Sequence, residues 1–327
     1  MRWDFLCNTG HFSVVPGRSG GIRGKPDWPG GSSCAQQECR YALLVTERKP
    51  VRIAALMAFV ALVAGACSGP GTDQAAPAAA AAKAAAEPGC IVPKVIGHRG
   101  TPEDENTMKG LRDAVSAGAH GVEFDVWWTR DGVPVLSHDP TVDRTTTGHG
   151  AISDMTAAEV RLLRTKRGQP VPTLEEALRY VAEQRMTGMV ELKPTPTAVQ
   201  VQSLLAAIRK TGTAEYVIVH SFNRAAVDAV RKAAPELRTA LTHEKTEISG
   251  AEAARYGTSL NVSRFLASPE AVEDWHAAGL RVYVWTANWE PAWKTAQSAG
   301  VDVILTDRVG PYKLWARTAC RVEPTRG

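Results

Sequence analysis

From residue 68 to the C-terminus the chain has no surplus of either charge. Residues 1–67 hold eight of the 38 Lys/Arg and four of the 34 Asp/Glu, which leaves thirty of each sign behind them. The overall +4 therefore belongs to the N-terminal stretch. A neutral body lacks the basic face that nucleic-acid binding uses, so no nucleic-acid partner is expected and any affinity for phosphate must come from a local site. A small anionic substrate fits better than a polyanion. A bilayer-spanning run is missing too: the apolar stretch 53–66 has 14 residues, against the roughly 20 that a crossing helix needs. Cysteine is scarce in the body, since Cys7, Cys34, Cys39 and Cys67 all lie at or before residue 67 and only Cys90 and Cys320 follow. With 44% hydrophobic residues in 327, one sizeable core is available, read here as one domain plus an N-terminal stretch outside the fold.

That stretch carries an address. Arg48, Lys49 and Arg52 precede the apolar run, which ends Val63-Ala64-Gly65-Ala66 before Cys67-Ser68-Gly69-Pro70. Basic residues, a short apolar region and small residues at the cut are the order of a secretory signal. Cys67 after Ala-Gly-Ala resembles the lipobox of bacterial lipoproteins, with Ala64 where Leu is usual. The resemblance implies a lipid on Cys67 and an exported protein anchored at the outer face of the cell membrane; plain secretion and a short membrane anchor are the alternatives. Residues 1–44 show no helix or strand period and read as a non-native or disordered extension, with translation expected to start near Val45. Residues 45–67 are then the signal, the Ala/Pro-rich 68–88 a tether, and 89–320 the folded domain.

From residue 94 onward short apolar runs alternate with amphipathic stretches, the pattern of parallel strands joined by crossover helices. Eight strands are expected, at 94–98, 121–127, 189–193, 217–221, 238–242, 259–262, 281–286 and 302–306. Helices are expected over 107–117, 173–185, 198–210, 224–233, 269–278 and 291–299, with the weakest helical signal in the 240s. A ninth run, 133–138, follows the second strand through Arg130-Asp131-Gly132, a turn too tight for a crossover helix, so it forms an antiparallel hairpin outside the ring. The expected fold is an α/β TIM-type (β/α)8 barrel with a small insertion, 139–170, after strand 2. The ends of a closed barrel approach each other and export implies a disulfide-permissive compartment, so Cys90 and Cys320 are expected to pair.

In such barrels function collects at the C-terminal ends of the strands. Here those ends read His98-Arg99-Gly100, Glu123-Phe124-Asp125, Ser137-His138-Asp139 and Glu191-Leu192-Lys193. Glu123/Asp125 and Glu191/Lys193 are i, i+2 pairs that share one face of their strands. Three carboxylates converging on a barrel mouth repel one another unless a cation neutralises them, and oxygen donors without cysteine select a hard ion, Ca²⁺ or Mg²⁺. Glu123, Asp125 and Glu191 are therefore the candidate ligands.

His-Arg-Gly, then Glu105-Asn106-Thr107, Glu-x-Asp, Asp131-Gly132 leading to His138-Asp139, and Glu-x-Lys together resemble the glycerophosphodiester phosphodiesterase family. The resemblance runs over roughly 94–310, through Trp285-Thr286-Ala287-Asn288 to Leu305-Thr306-Asp307. It implies hydrolysis of glycerophosphodiesters to glycerol 3-phosphate and an alcohol, with His98 and His138 as the general acid/base pair, one taking a proton from the nucleophile and the other giving one to the leaving alkoxide. It also implies that Arg99 and Lys193 balance transition-state charge, that Glu105 and Asn106 support substrate and metal, and that a neighbouring glycerol hydroxyl attacks phosphorus first. Pro102-Glu103-Asp104, just before Glu105 and Asn106, departs from the usual Pro-Glu-Asn-Thr spacing.

Several residues keep two readings. Lys193 could be only a salt-bridge partner, Phe222 in His220-Ser221-Phe222 pocket lining or core, and Trp285 a wall of the glycerol site or barrel filling. Of Trp127-Trp128 at least one is structural, and the 145–147 loop either closes over substrate or is a solvated turn. Two competing functions remain: a phospholipase D or sphingomyelinase-like enzyme on intact lipid, and an inactive surface-binding lipoprotein. The first needs exposed aromatic loops beside the mouth, whereas the insertion is rich in Thr, Gly and Arg; the second would have lost a histidine or carboxylate, and none is lost.

Overall fold

The computed structural model describes residues 6–8, 11–13 and 90–320. The signal, the tether and Cys67 lie outside the described residues. The chain divides into two units, Met1–Pro77 and Ala78–Gly327. In the first, Leu6–Asn8 pairs antiparallel with His11–Ser13, a short ribbon in a stretch whose sequence shows no strand period.

Among its described residues the second unit is built on nine strands: β1 Lys94–Gly97, β2 Gly121–Trp128, β3 Pro134–Leu136, β4 Thr187–Leu192, β5 Val217–Ser221, β6 Arg238–His243, β7 Ser259–Ser263, β8 Arg281–Trp285 and β9 Val303–Thr306. All but β3 run parallel in chain order around a ring. β9 pairs with β1 from Val303↔Lys94 to Thr306↔Gly97, and β1 meets β2 at Ile96↔Gly121 and Gly97↔Val122 to close it. β3 lies outside the ring, antiparallel on β2 with Trp127 opposite Val135. The expected barrel and its hairpin are both present.

The outward faces of the strands bury Val95, Val122, Phe124, Val190, Val219 and Val284 against the surrounding helices. Threonine starts three of those helices: the Thr107 hydroxyl accepts from Gly110 N, and Thr173 with Glu176 and Thr197 with Gln200 form capping boxes. Each such cap contributes about 1 kcal/mol. The inward faces stack in two layers. Ile96, Met189, Ile218, Ala240, Tyr283 and Leu305 fill the lower barrel. Two residues further along each chain, on the same face by strand alternation, stand His98, Glu191, His220, Thr242, Trp285 and Asp307. An apolar floor thus carries a polar mouth.

Differences from the expected elements are local. β4 begins at Thr187 rather than 189. Between β6 and β7, where the helical signal is weakest, stand only the one-turn helix Gly250–Ala253 and a 3-10 turn, Ala254–Tyr256. The insertion packs a small core of its own, Val135, Val142, Ile152, Val160 and Val171, with the short helix Ala157–Leu162. Its 145–147 loop is tied in rather than free, since the buried Thr146 hydroxyl donates to the Val142 carbonyl at 2.8 Å. No helix among the described residues is long and apolar enough to cross a membrane.

Cys90 and Cys320 are disulfide-bonded with Cα atoms 5.7 Å apart at a sequence separation of 230. Closing so long a loop restricts the unfolded chain, and losing such a bridge typically costs about 2–5 kcal/mol. Thermal unfolding of Cys90→Ser/Cys320→Ser is therefore expected roughly 5–15 °C below the oxidised wild type. Identical melting of the two proteins would show that the bridge contributes nothing.

Candidate active site

His98 sits one residue beyond β1. Its Nδ1 lies 2.7 Å from Asp307 Oδ1, just beyond β9, and Asp307 is held in turn: Asn288 Nδ2 donates to Oδ2 at 2.6 Å, while the Asp307 N–H donates to Asn288 Oδ1 at 2.9 Å. Burial alone would depress His98, but the Asp307 hydrogen bond and the charge of Glu123 outweigh it and hold the imidazole above its ordinary 6.5. His138, two residues beyond β3, is built the same way, with Nδ1 2.7 Å from Asp139 Oδ1 and its carbonyl accepting from Trp127 Nε1 at 3.2 Å. There burial prevails over Asp139 and the value falls below 6.5. Trp128 is structural: it is buried, and its Nε1 donates to Ser203 Oγ at 2.8 Å.

The turn after His98 places the next groups. Arg99 takes a left-handed φ of 53° and Gly100 one of 79°. A Cβ on Gly100 would stand 2.5 Å from the Gly110 backbone, so only glycine fits there. The turned Arg99 N–H donates to Glu123 Oε2 at 2.8 Å, and its guanidinium reaches Asp125 at 3.3 Å and Glu105 at 3.7 Å. Asn106 is also left-handed, with φ 55°. Its amide grips Asp125 twice, Nδ2 donating to Oδ2 at 2.7 Å and Oδ1 accepting from the Asp125 N–H at 3.0 Å. Two strained backbones at one carboxylate mark a functional site, at a cost of order 1 kcal/mol or more each.

Glu123, Asp125 and Glu191 are all buried in the mouth. Lys193 Nζ bridges the last two, 3.0 Å from Asp125 Oδ1 and 2.7 Å from Glu191 Oε1. Asp125 therefore has both oxygens engaged, and despite its burial the charges of Lys193 and Arg99 hold it below its ordinary value. Glu123 is the reverse. Burial and the neighbouring Asp125 push it up to about 8, and its Oε1 has no partner. Glu123, Glu191 and the buried His220 offer one ligand atom each, all within 4.8 Å of one another. A buried carboxylate oxygen with no partner, beside a second carboxylate that burial also makes resist ionisation, suits a cation, so these residues fit a divalent metal.

The remaining predicted residues stand at the rim. Phe222 and Trp285 form an edge-to-face pair with ring centroids 5.2 Å apart at 85°. Phe222 is half-exposed, and Trp285 Nε1 is unpartnered. Glu105 is held by Arg144 of the insertion, which also binds Asp139 beside His138. All eleven candidate residues thus collect at one end of the barrel.

A protein-family comparison matches residues 97–311 to the glycerophosphoryl diester phosphodiesterase family. This chain belongs to that family. A glycerophosphodiester phosphodiesterase of Caldanaerobacter subterraneus subsp. tengcongensis is 32% identical over 226 residues, covering 65% of this chain and 93% of the relative. Among solved structures, a glycerophosphodiester phosphodiesterase from Agrobacterium tumefaciens superposes with a TM-score of 0.60 at 26% identity, covering 68% of this chain and 99% of its own. A phosphodiesterase from Oleispira antarctica, solved with the product sn-glycerol-3-phosphate, gives 0.61 at 27% identity, covering 70% and 97%.

In this family member the structure brings in five residues that the candidate set lacks. Asp307, with Asn288, orients His98, and Asp139 orients His138. Arg144 ties the insertion to Glu105 and Asp139. His220, whose buried Nε2 has no partner, stands beside the carboxylates of Glu123 and Glu191. The available signal for Asp307 was its place at a strand end.

Proposed function

We propose that this chain is a divalent-metal-dependent glycerophosphodiester phosphodiesterase that releases glycerol 3-phosphate and an alcohol, with Ca²⁺ or Mg²⁺ as the expected ion. One observation carries the reading. Two histidines, each held at Nδ1 by a carboxylate, flank a buried cluster of three carboxylates and two cations. Arg99 and Lys193 leave that cluster with one net negative charge. A divalent ion makes the sum +1, which complements a phosphodiester monoanion. When bound, the ion supplies Lewis-acid stabilisation of a phosphoryl oxygen.

The chain's own residues do the rest. With Nδ1 engaged, each imidazole has Nε2 left for proton transfer. His98, raised against its burial by the Asp307 hydrogen bond, holds its proton more firmly than His138 and serves as general acid to the leaving alkoxide. His138, depressed by burial, is neutral and serves as general base to the attacking oxygen. Asp307 and Asp139 hold the rings in place. Arg99 and Lys193 offset charge as it builds on phosphorus. Phe222 and Trp285 present apolar ring surface at the rim that suits the carbon face of glycerol.

We further propose that the protein acts outside the cytoplasmic membrane, exported and held by a lipid on Cys67. The order of the N-terminal segment supports this, and so does the Cys90–Cys320 bridge, a bond that persists in oxidising compartments. One feature favours a second substrate, intact lipid: Phe265 and Trp289, exposed at 79% and 46%, follow the C-terminal ends of β7 and β8 on the mouth side.

The test is hydrolysis of glycerophosphocholine by purified protein after EDTA treatment and after restoring Ca²⁺ or Mg²⁺, with phosphatidylcholine vesicles in parallel. Glycerol 3-phosphate released from the soluble diester only with metal is expected. Faster turnover of vesicles, or release of choline phosphate, would move the reading to a lipid phosphodiesterase.

A further inference from the structure

Neither the carboxylates nor the acid/base pair account for His220. It projects from β5 into the barrel at 1% exposure, two residues beyond Ile218 of the apolar floor. A histidine packed there for shape alone would have both ring nitrogens paired or lie among apolar groups. Instead only one side of the ring is tied down: Nδ1 lies 2.9 Å from Thr242 Oγ1, which Asn261 Nδ2 approaches at 3.4 Å from the next strand. Nε2 is buried and without a partner, and a ring nitrogen of His220 lies within 4.8 Å of an oxygen of Glu123 and of Glu191. Glu123 Oε1 is likewise unpartnered. Asp125, the other carboxylate of the mouth, is satisfied by Lys193, Arg99 and Asn106. Glu123 Oε1 and His220 Nε2 are thus both left open to a cation.

We infer that His220 is a ligand of the divalent cation, through Nε2, beside Glu123 and Glu191. This rests on the reading of the chain as a metal-dependent phosphodiesterase and adds a specificity to it. Thr242 can accept from Nδ1–H, which leaves Nε2 bare, the usual arrangement for a ligating imidazole with an outer hydrogen-bond partner. Ca²⁺ gains little from imidazole, whereas Mn²⁺ and Co²⁺ accept it readily. The site discriminates in favour of Mn²⁺ and Co²⁺ more than an all-oxygen set would.

The experiment uses the full chain, stripped with EDTA and loaded with Mn²⁺ alone, in pulsed EPR. Nitrogen modulation is expected in the wild type, changed by ¹⁵N-histidine labelling and absent in His220→Gln. By calorimetry, Co²⁺ affinity is expected to fall about 10–100-fold in that variant, and Ca²⁺ affinity by less. Thr242→Val, which keeps the imidazole but removes its outer partner, is expected to weaken Co²⁺ binding with nitrogen modulation retained. The wild-type spectrum needs no variant to fold. Bound Mn²⁺ without nitrogen modulation, or modulation that survives in His220→Gln, overturns the assignment while leaving hydrolysis standing. If no divalent ion binds and EDTA-treated protein turns over at full rate, the metal-dependent reading falls with it.

Discussion

His98→Ala is expected to lower kcat by about 10²–10⁴-fold, the range that a positioned proton donor supplies, while KM for glycerophosphocholine changes by less than the rate. The imidazole acts on the leaving oxygen in the transition state, so its loss should not appear as weaker ground-state binding. Asp307→Asn is the more informative partner. Asp307 holds Nδ1 at 2.7 Å, and its hydrogen bond is the largest influence raising the His98 value against burial. An amide keeps the shape but removes the charge, so burial then drives His98 downward. His98 has to be protonated to act, and activity falls as pH rises through its value. The alkaline limb of kcat/KM should therefore move to lower pH in Asp307→Asn. The acid limb, set by a His138 depressed below 6.5, should stay put. A merely structural Asp307 would lower the rate at every pH and leave the limb in place. Activity of His98→Ala within tenfold of wild type would end the assignment.

That pairing shows where reading a sequence stops. The barrel was legible because buried parallel strands appear as near-continuous apolar runs and because Thr173 and Thr197 announce helix starts through Glu176 and Gln200. Thr187-Gly188 falls outside the apolar run because neither residue has a large apolar side chain, yet it pairs with Gly121-Val122 and begins β4. The helix Ala157–Leu162 is too short for its period to show. At the site, His98, Glu123, Asp125, His138 and Glu191 stand in order at strand ends, where residue type and position together point to chemistry. Their supports do not. Asp307 is 209 residues from His98 and meets it only when β9 closes on β1. Arg144 is one of several arginines in a polar insertion until Glu105 and Asp139 converge on it. The exposed aromatics were sought in the insertion, but Phe265 and Trp289 lie across the mouth on β7 and β8 loops, whose place beside it depends on ring order.

Glu123→Gln is expected to act in opposite directions on stability and on turnover. Without a cation, Glu123 is buried beside Asp125 and pushed up to about 8, against an ordinary 4.5. Between those values the native state holds a proton that the unfolded chain has released, so stability falls as pH rises. His98, raised above 6.5, has the same sign over its own window, whereas the depressed His138 and His220 oppose it only below 6.5. The clean interval is thus pH 6.5 to 8. There the metal-free wild type should lose up to about 1.4 kcal/mol per pH unit for this one proton. Glutamine keeps the oxygen that accepts from the Arg99 N–H and carries no titrating charge, so the EDTA-treated variant should melt higher than wild type at pH 8 and show a flatter pH dependence. The same change removes an anionic ligand: turnover should fall by about 10²-fold or more, as loss of a metal's charge stabilisation predicts. Added metal should also fail to raise Tm, whereas at 100 times Kd it stabilises the wild type by about 2.7 kcal/mol. Thermal melts at pH 6.5 and 8, with EDTA and with metal, decide the matter. A metal-free wild type whose Tm does not move over that interval would show that Glu123 is ionised without its cation, and the carboxylate cluster would then be a salt-bridge network rather than a metal site.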